Sequence, residues 1–422
     1  MFSLRLRTLF QAALLAALPL AQAAAPVAPA APAATNAATA PQGSLVIVGG
    51  GLKADNAEIW QRIVTLAGGP GARIAVLPSA SANPERAGQW ISERLNSYGA
   101  AAFVVPLSVR LADTDFRKVA EDAELAGAVR GAGGVFFVGG DQSRITEALV
   151  RADGSRTAVL DAVWHVYRRG GVVAGDSAGA AIMSSTMFYA PNSVLATLHQ
   201  GVADGRDIAP GLGFIGDDVF VDQHLLVRGR FARMIPAMLK KGYKYGLGID
   251  ENTAMVVDRR RQVEIIGVKG ALLIDLTRAT TDSARAGFNV SNAVLSYLDR
   301  GDRYDLASHT FTPAPDKAGG RLADGRELLR QPVYSSDILG RNAVVELMEN
   351  LINNHENEAI GIATSGREMG GEGAPAPGFQ FTFRKTADSV GYVKPDTHSY
   401  SILNMRLDIR QLDPGPVPAQ RN

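Results

Sequence analysis

The 422-residue chain contains no cysteine. Disulfides, thiolate metal sites and a cysteine nucleophile are therefore excluded. Surplus charge is missing too: 43 Lys and Arg stand against 42 Asp and Glu, a formal net charge of +1. A chain so balanced has no overall field to draw in nucleic acid or an anionic membrane, so any preference for a charged ligand must be local. Membrane-spanning apolar runs are absent as well. The stretch Leu9 to Leu20 is about a dozen residues, short of the ~20 needed to cross a bilayer. It follows Arg5 and Arg7 and ends in Ala21-Gln22-Ala23, a small-x-small cleavage pattern, which predicts a secretory signal peptide over residues 1–23. The Ala/Pro-rich residues 24–42 predict an extended, disordered leader. A soluble, secreted mature protein is expected, extracellular or periplasmic.

Hydrophobic residues make up 46% of the chain, enough to bury a sizeable core. Short apolar runs begin at Leu45–Val48 and recur at Arg73–Pro78, Ala102–Pro106, Gly134–Val138 and Gly171–Ala174. Helix-length amphipathic stretches separate them: Asn56–Leu66, Pro84–Tyr98, Phe116–Arg130 and Thr146–Arg169. In Pro84–Tyr98 the residues Trp90, Ile91 and Leu95 share helical spacing. This alternation predicts an α/β fold, a mostly parallel sheet with helices on both faces. Further strands are expected at Val219–Val221, Gly246–Ile249, Ala254–Val257 and Val263–Ile266, closing a domain over 43–280. Residues 281–422 have a different texture, with one strong helix (Arg341–Asn353), a Gly/Pro-rich break (Gly366–Pro377) and alternating segments at Phe379–Phe383 and Tyr400–Ile409. They read as a C-terminal α+β extension.

Ligands of parallel sheets bind at the carboxyl ends of the strands. There lies Gly175-Asp176-Ser177-Ala178-Gly179, directly after an apolar run. That context marks a nucleophile elbow, with Ser177 as nucleophile and a following helix start suited to a developing oxyanion. A serine needs a base. Of six histidines, His224 alone follows a strand within the first domain, in Asp222-Gln223-His224. A base needs an orienting acid. Glu251 and Asp250 both lie just past another strand, and spacing leaves both open. Arg228, Arg230 and Arg233 make a local cationic cluster four residues beyond His224, suited to substrate carboxylates or, equally, to a solvated helix face. Gly139-Gly140-Asp141-Gln142 ends another strand, where the backbone can supply an oxyanion donor and Gln142 a substrate contact.

Gly139-Gly140-Asp141-Gln142, the Ser177 elbow, Asp222-Gln223-His224 and Gly246-Leu247-Gly248-Ile249-Asp250-Glu251, in this order and spacing, resemble the cyanophycinases of serine peptidase family S51, which also holds the α-aspartyl dipeptidases. The resemblance covers about residues 44 to 276; the leader and extension are similar to those of extracellular bacterial members. It implies a class I glutamine amidotransferase-like sheet, a Ser-His-Glu triad of Ser177, His224 and Glu251, and neither metal nor cofactor. Gly140 and Ala178 are implied as oxyanion donors. Gln142, Asp222, Gln223, Arg228, Arg230 and Arg233 fall on substrate-binding positions. Asp176, which also faces substrate on this reading, stands where the family usually has Thr. The implied partner is the cyanophycin polymer, cleaved to β-Asp-Arg dipeptides, with no nucleic acid or membrane and with a homodimer left open. An aspartyl dipeptidase and, further off, a non-catalytic secreted binding protein are the alternatives.

Overall fold

The computed structural model describes residues 41–190, 193–285, 287–322, 329–364, 377–394 and 399–412. The expected signal peptide, nearly all of the leader, and almost all of the Gly/Pro-rich break lie outside them. Polar caps fix where helices begin. Asn56, Asn83, Asp122, Asp141 and Thr157 each accept a hydrogen bond from a backbone N–H two or three residues ahead, satisfying a donor that the first helical turn leaves unpaired.

The chain runs β1 (Ser44–Val48), α1 (Ala57–Leu66), β2 (Arg73–Leu77), α2 (Pro84–Ser97), β3 (Ala101–Val104), α3 (Phe116–Ala120), α4 (Ala123–Arg130), β4 (Gly134–Phe137), α5 (Gln142–Leu149), α6 (Ala158–Arg168), β5 (Val172–Asp176) and α7 (Ala178–Ala181). Next come β6 (Thr186–Phe188), α8 (Val194–Gln200), β7 (Ile208–Pro210), β8 (Val219–Gln223), α9 (Phe231–Lys241), β9 (Tyr245–Ile249), β10 (Thr253–Val257), β11 (Gln262–Gly267) and β12 (Ala271–Asp275). The remainder is β13 (Asn289–Leu298), β14 (Arg303–Asp305), β15 (Thr310–Thr312), β16 (Val333–Ser335), α10 (Ala343–Ile352), β17 (Glu358–Ala363), β18 (Phe379–Arg384), β19 (Val390–Lys394) and β20 (Ser399–Gln411). Two long helices expected from periodicity are each divided in two: Asp122 caps a new start within the first, and a turn through Asp153 and Gly154 breaks the second.

The fold is mixed α/β, with two large sheets where one mostly parallel sheet is expected. The first has the order β15-β14-β11-β10-β1-β5-β4-β2-β3. Its half from β1 to β3 is parallel, because helices carry each crossover. Its other half is antiparallel, because turns too short for a crossover join β10 to β11 and β14 to β15. The second sheet runs β16-β17-β18-β20-β13-β12-β9-β8, with β19 on β20. Among the described residues, only β8–β9 and β16–β17 are parallel there.

Alternating side chains of β1 serve two cores. Val46 and Val48 pack with Ile59, Trp60 and Ile91 of α1 and α2, while Leu45 and Ile47 pack with Val129 and Val163 of α4 and α6. Val221, Leu247 and Leu273 of the second sheet join that latter core. Its opposite face, including Phe220, Ile274 and the phenylalanines of β18, packs with α9 and α10. The boundary expected near residue 280 falls between β12 and β13, which are hydrogen-bonded neighbours. The extension thus continues a sheet that β8, β9 and β12 begin.

Candidate active site

β5 delivers Ser177 into a sharp turn. Its backbone takes φ 52° and ψ −103°, a strained conformation for a residue with a side chain, and α7 starts at once. The strand and helix meet there only because the residues two before and two after Ser177 are both glycine. A Cβ at Gly175 would lie 2.3 Å from the Gly179 carbonyl oxygen, and one at Gly179 would lie 2.4 Å from that of Phe137. His224 follows β8 and also has positive φ, 50°. Its ring sits against Gly50, where a Cβ would come within 2.2 Å of Cε1. Glu251 follows β9. The three side chains form one hydrogen-bonded chain: Ser177 Oγ to His224 Nε2 at 2.8 Å, and His224 Nδ1 to Glu251 Oε1 at 2.6 Å.

A carboxylate only accepts hydrogen bonds, so Glu251 assigns the imidazole proton to Nδ1 and leaves Nε2 to accept from the serine hydroxyl. Burial pushes the His224 pKa below its ordinary value; the hydrogen bond to Glu251 works against this, while Arg228 and Arg230 add to it. The ring is therefore neutral at pH 7 and able to take a proton. Asp250, equally placed by spacing, does other work. It is buried, and its Oδ1 accepts the backbone N–H groups of Leu226 and Val227, both at 3.1 Å. It fixes the loop after His224, without touching the ring.

The remaining candidates divide. The N–H groups of Gly140 and Ala178 have no hydrogen-bond partner among the described residues. Gln142 is committed to main chain, its Nε2 donating to the carbonyls of Phe188 and Tyr189. Asp222 and Arg233 are both buried and face each other as a fork, Nε–Oδ2 and Nη2–Oδ1 each 2.7 Å, with the guanidinium over the Phe188 ring. The two residues expected to face substrate thus pair with each other, and Nε and Nη2 of the guanidinium are engaged within the protein. Gln223 is buried, and its Oε1 accepts from Arg230. Arg230 is half-buried, and burial lowers its pKa to about 10, with Arg233 and Arg228 contributing. Arg228 is exposed and makes no ion pair among the described residues. The sequence cluster is therefore one buried structural arginine and two arginines beside His224.

Asp176 departs most from ordinary behaviour. Its Oδ1 is buried with no hydrogen-bond partner among the described residues. Desolvation raises its pKa to about 7; a backbone N–H from Leu52 opposes this and the nearby Glu251 adds to it. It lines a cleft of about 590 Å³ together with Ser177, His224, Gly139 and Gly140. The opposite wall is formed by Asn83, Arg86 and Trp90 at the start of α2. Sequence reasoning passed over these. Trp90 shares its helical spacing with buried Ile91, yet it is 42% exposed. A usable signal existed: α2 follows the carboxyl end of β2, and Arg86 and Trp90 sit four apart on one helical face.

A strained serine after a parallel strand, with a neutral histidine and a carboxylate in line, defines a serine hydrolase site in form. Residues 45–265 match peptidase family S51, and the chain belongs to that family of serine peptidases. The cyanophycinase of Trichormus variabilis is 33% identical over 279 residues, 64% of this chain and 87% of its own. That of Geminocystis herdmanii is 32% identical over 276 residues, 63% of this chain and 94% of its own. Among solved structures, a peptidase from an acI-B1 actinobacterium aligns with a TM-score of 0.43 and 21% identity, covering 63% of this chain and 98% of its own.

Proposed function

We propose that the protein is a secreted serine exopeptidase that hydrolyses cyanophycin, multi-L-arginyl-poly-L-aspartate, to β-Asp-Arg dipeptides through an acyl-enzyme on Ser177. The observation that carries this is the Ser177–His224–Glu251 hydrogen-bonded chain, in a member of a peptidase family whose similar proteins are cyanophycinases. His224 takes the Ser177 proton at Nε2 as Oγ attacks the scissile carbonyl carbon. Glu251 holds the ring and stabilises its protonated form. The unpartnered N–H groups of Gly140 and Ala178 receive the oxyanion. His224 then gives its proton to the leaving amine, and water, activated by the same ring, hydrolyses the acyl ester. Arg228 and Arg230 hold substrate carboxylates, while Arg233 and Asp222 support them from beneath. The arrangement of the five parallel strands as in class I glutamine amidotransferases rests on the family resemblance, and export rests on the N-terminal sequence.

Incubating purified protein with cyanophycin and weighing the products tests the whole reading. Accumulation of β-Asp-Arg from the start, with the polymer shortening gradually, is expected. Intact polymer with wild-type protein, or only large fragments early, overturns it. Expression of the full chain with subsequent assay of medium and periplasm tests export; activity confined to the cytoplasm overturns that part.

A further inference from the structure

We propose that Arg86 and Trp90 form a subsite for the arginyl side chain of the substrate, Trp90 stacking on its guanidinium and Arg86 pairing with its free carboxylate. The inference rests on the reading of the cleft as a site for an arginyl-aspartate polymer. Each side-branch of that polymer ends in a planar cation and an anion held a few bonds apart. A pocket that selects it must offer a flat π face and a cation side by side.

The start of α2 offers both. The Asn83 side chain caps the helix by accepting from the Arg86 N–H at 3.1 Å, and Pro84 occupies the first turn. This pins the orientation of the first turns, so that Arg86 and Trp90, four residues apart, project from one face. Gly88, between them, lets the helix lie close on its sheet: a Cβ there would sit 2.9 Å from Val104 Cγ1. Both residues line the same cleft as Ser177 and His224. Arg86 is exposed and makes no ion pair or side-chain hydrogen bond among the described residues. Trp90 is braced edge-on against the buried Trp60, ring centroids 6.1 Å apart and planes at 67°, yet remains 42% exposed. A braced indole with free area is a stacking platform whose position needs no ordering on binding. Guanidinium groups stack on tryptophan better than ammonium groups do, so the platform also favours arginine over lysine.

Two measurements test this. The first uses wild type, Arg86→Ala, Trp90→Ala and Trp90→Phe on cyanophycin and on polymer in which lysine replaces part of the arginine. Trp90→Ala and Arg86→Ala should each raise KM about tenfold with kcat nearly unchanged, and Trp90→Phe should recover most of the loss. Trp90→Ala should also erase the preference for arginine over lysine. The second titrates Ser177→Ala protein, alone and combined with either alanine change, with β-aspartyl-arginine and β-aspartyl-lysine. Weaker binding of the arginine dipeptide in both combinations is expected. Wild-type protein that cleaves cyanophycin while all three wall variants keep its KM and its arginine preference sinks the subsite alone. Wild-type protein that leaves the polymer intact yet binds β-aspartyl-arginine through Arg86 and Trp90 sinks the polymer reading and keeps the subsite.

Discussion

The two large sheets contribute differently to one site. The first supplies Ser177 from β5, which lies between β1 and β4 in a run of parallel strands covered by helices on both faces. The second supplies His224 and Glu251 from the ends of its edge strand β8 and of β9 beside it. Most of that second sheet comes from beyond residue 280. The His224 loop is further held from that side. The Asn342 N–H donates to the Leu226 carbonyl at 3.0 Å, and a Cβ at Gly229 would meet the Leu339 carbonyl oxygen at 2.1 Å. The nucleophile is thus placed by the local strain of its own turn. The base and acid are placed by a scaffold gathered from across the chain. Substitutions should respect that division: near Ser177 they change chemistry and leave the fold, whereas in the second sheet they change fold and chemistry together.

The largest effect falls on chemistry. Ser177→Ala or His224→Ala should lower kcat by about 10³-fold or more, with circular dichroism and thermal midpoint near wild type. Glu251→Gln should cost less, since the ring stays in place and loses only its charge support. More than about a tenth of wild-type turnover in either alanine variant removes the assignment.

Next is the second sheet's buried pair. Arg233→Ala leaves the buried Asp222 without its cation, with only the Gln223 N–H still donating to it, and should cost about 3–5 kcal/mol of stability, read by denaturant unfolding. Arg228→Ala, an exposed position, should leave stability unchanged and raise KM alone. If both substitutions behave alike, the division between buried and substrate-facing arginines is wrong.

The turn beside the nucleophile carries a pH signature. The Asp176 pKa is raised to about 7 from an ordinary 3.8. A raised acid pKa means the folded state holds its proton longer than the unfolded chain does. The associated stability is complete below about pH 4 and lost as pH rises through about 7. Asp176→Asn, which cannot ionise, should therefore match wild type near pH 4 and exceed it at pH 8 by up to a few kcal/mol. Thermal midpoints of the two proteins across this window decide it. A difference that does not vary with pH places the Asp176 carboxyl in contact with water. The lowered His224 pKa acts on activity in the opposite sense, so that kcat/KM should fall only as pH drops well below neutral.

The parallel half of the molecule was largely legible in the sequence, because β1, β2, β4 and β5 are short, largely buried apolar runs and each crossover carries a capped helix. Ser177 was legible for the same reason, since its glycines and preceding strand are contiguous. The second sheet was not. β13 reads Asn-Val-Ser-Asn-Ala-Val before its apolar end, its register slips between Val290 and Ala293, and its partner β20 lies over a hundred residues away. No local period announces such a pairing. That Asp222 and Arg233 pair with each other was not legible, because spacing places them near the base without saying which way they face. Burial decides that, and burial comes from elements far along the chain. Trp90 shows the same limit, since its helical spacing with Ile91 and Leu95 does not say that the cleft leaves it 42% exposed. Glu251 and Asp250 show the limit of spacing most sharply, as adjacent acids of which one reaches the ring and the other holds the loop.

The smallest expected effect tests whether the extension supports the His224 loop. Asn342 adopts φ 60°, a left-handed conformation that asparagine tolerates better than most side chains. Its side chain accepts from Lys269 Nζ, and that ammonium also lies 3.4 Å from Asp250 Oδ2. Asn342→Ala keeps the backbone donor to Leu226 but loses the acceptor for Lys269 and strains the turn. The cost should be about 1 kcal/mol, a thermal midpoint lower by roughly 2 °C for a chain of this size. Asn342→Gly relieves the strain while losing the same acceptor, so its stability should lie nearer wild type. If the extension supports the base, kcat should drop about two- to threefold in both variants, because both release Lys269 from the loop that carries His224. A kcat unchanged in both, with stability lowered only in the alanine variant, confines the Asn342 side chain to its own turn and leaves the loop held by Asp250 and by backbone contacts alone.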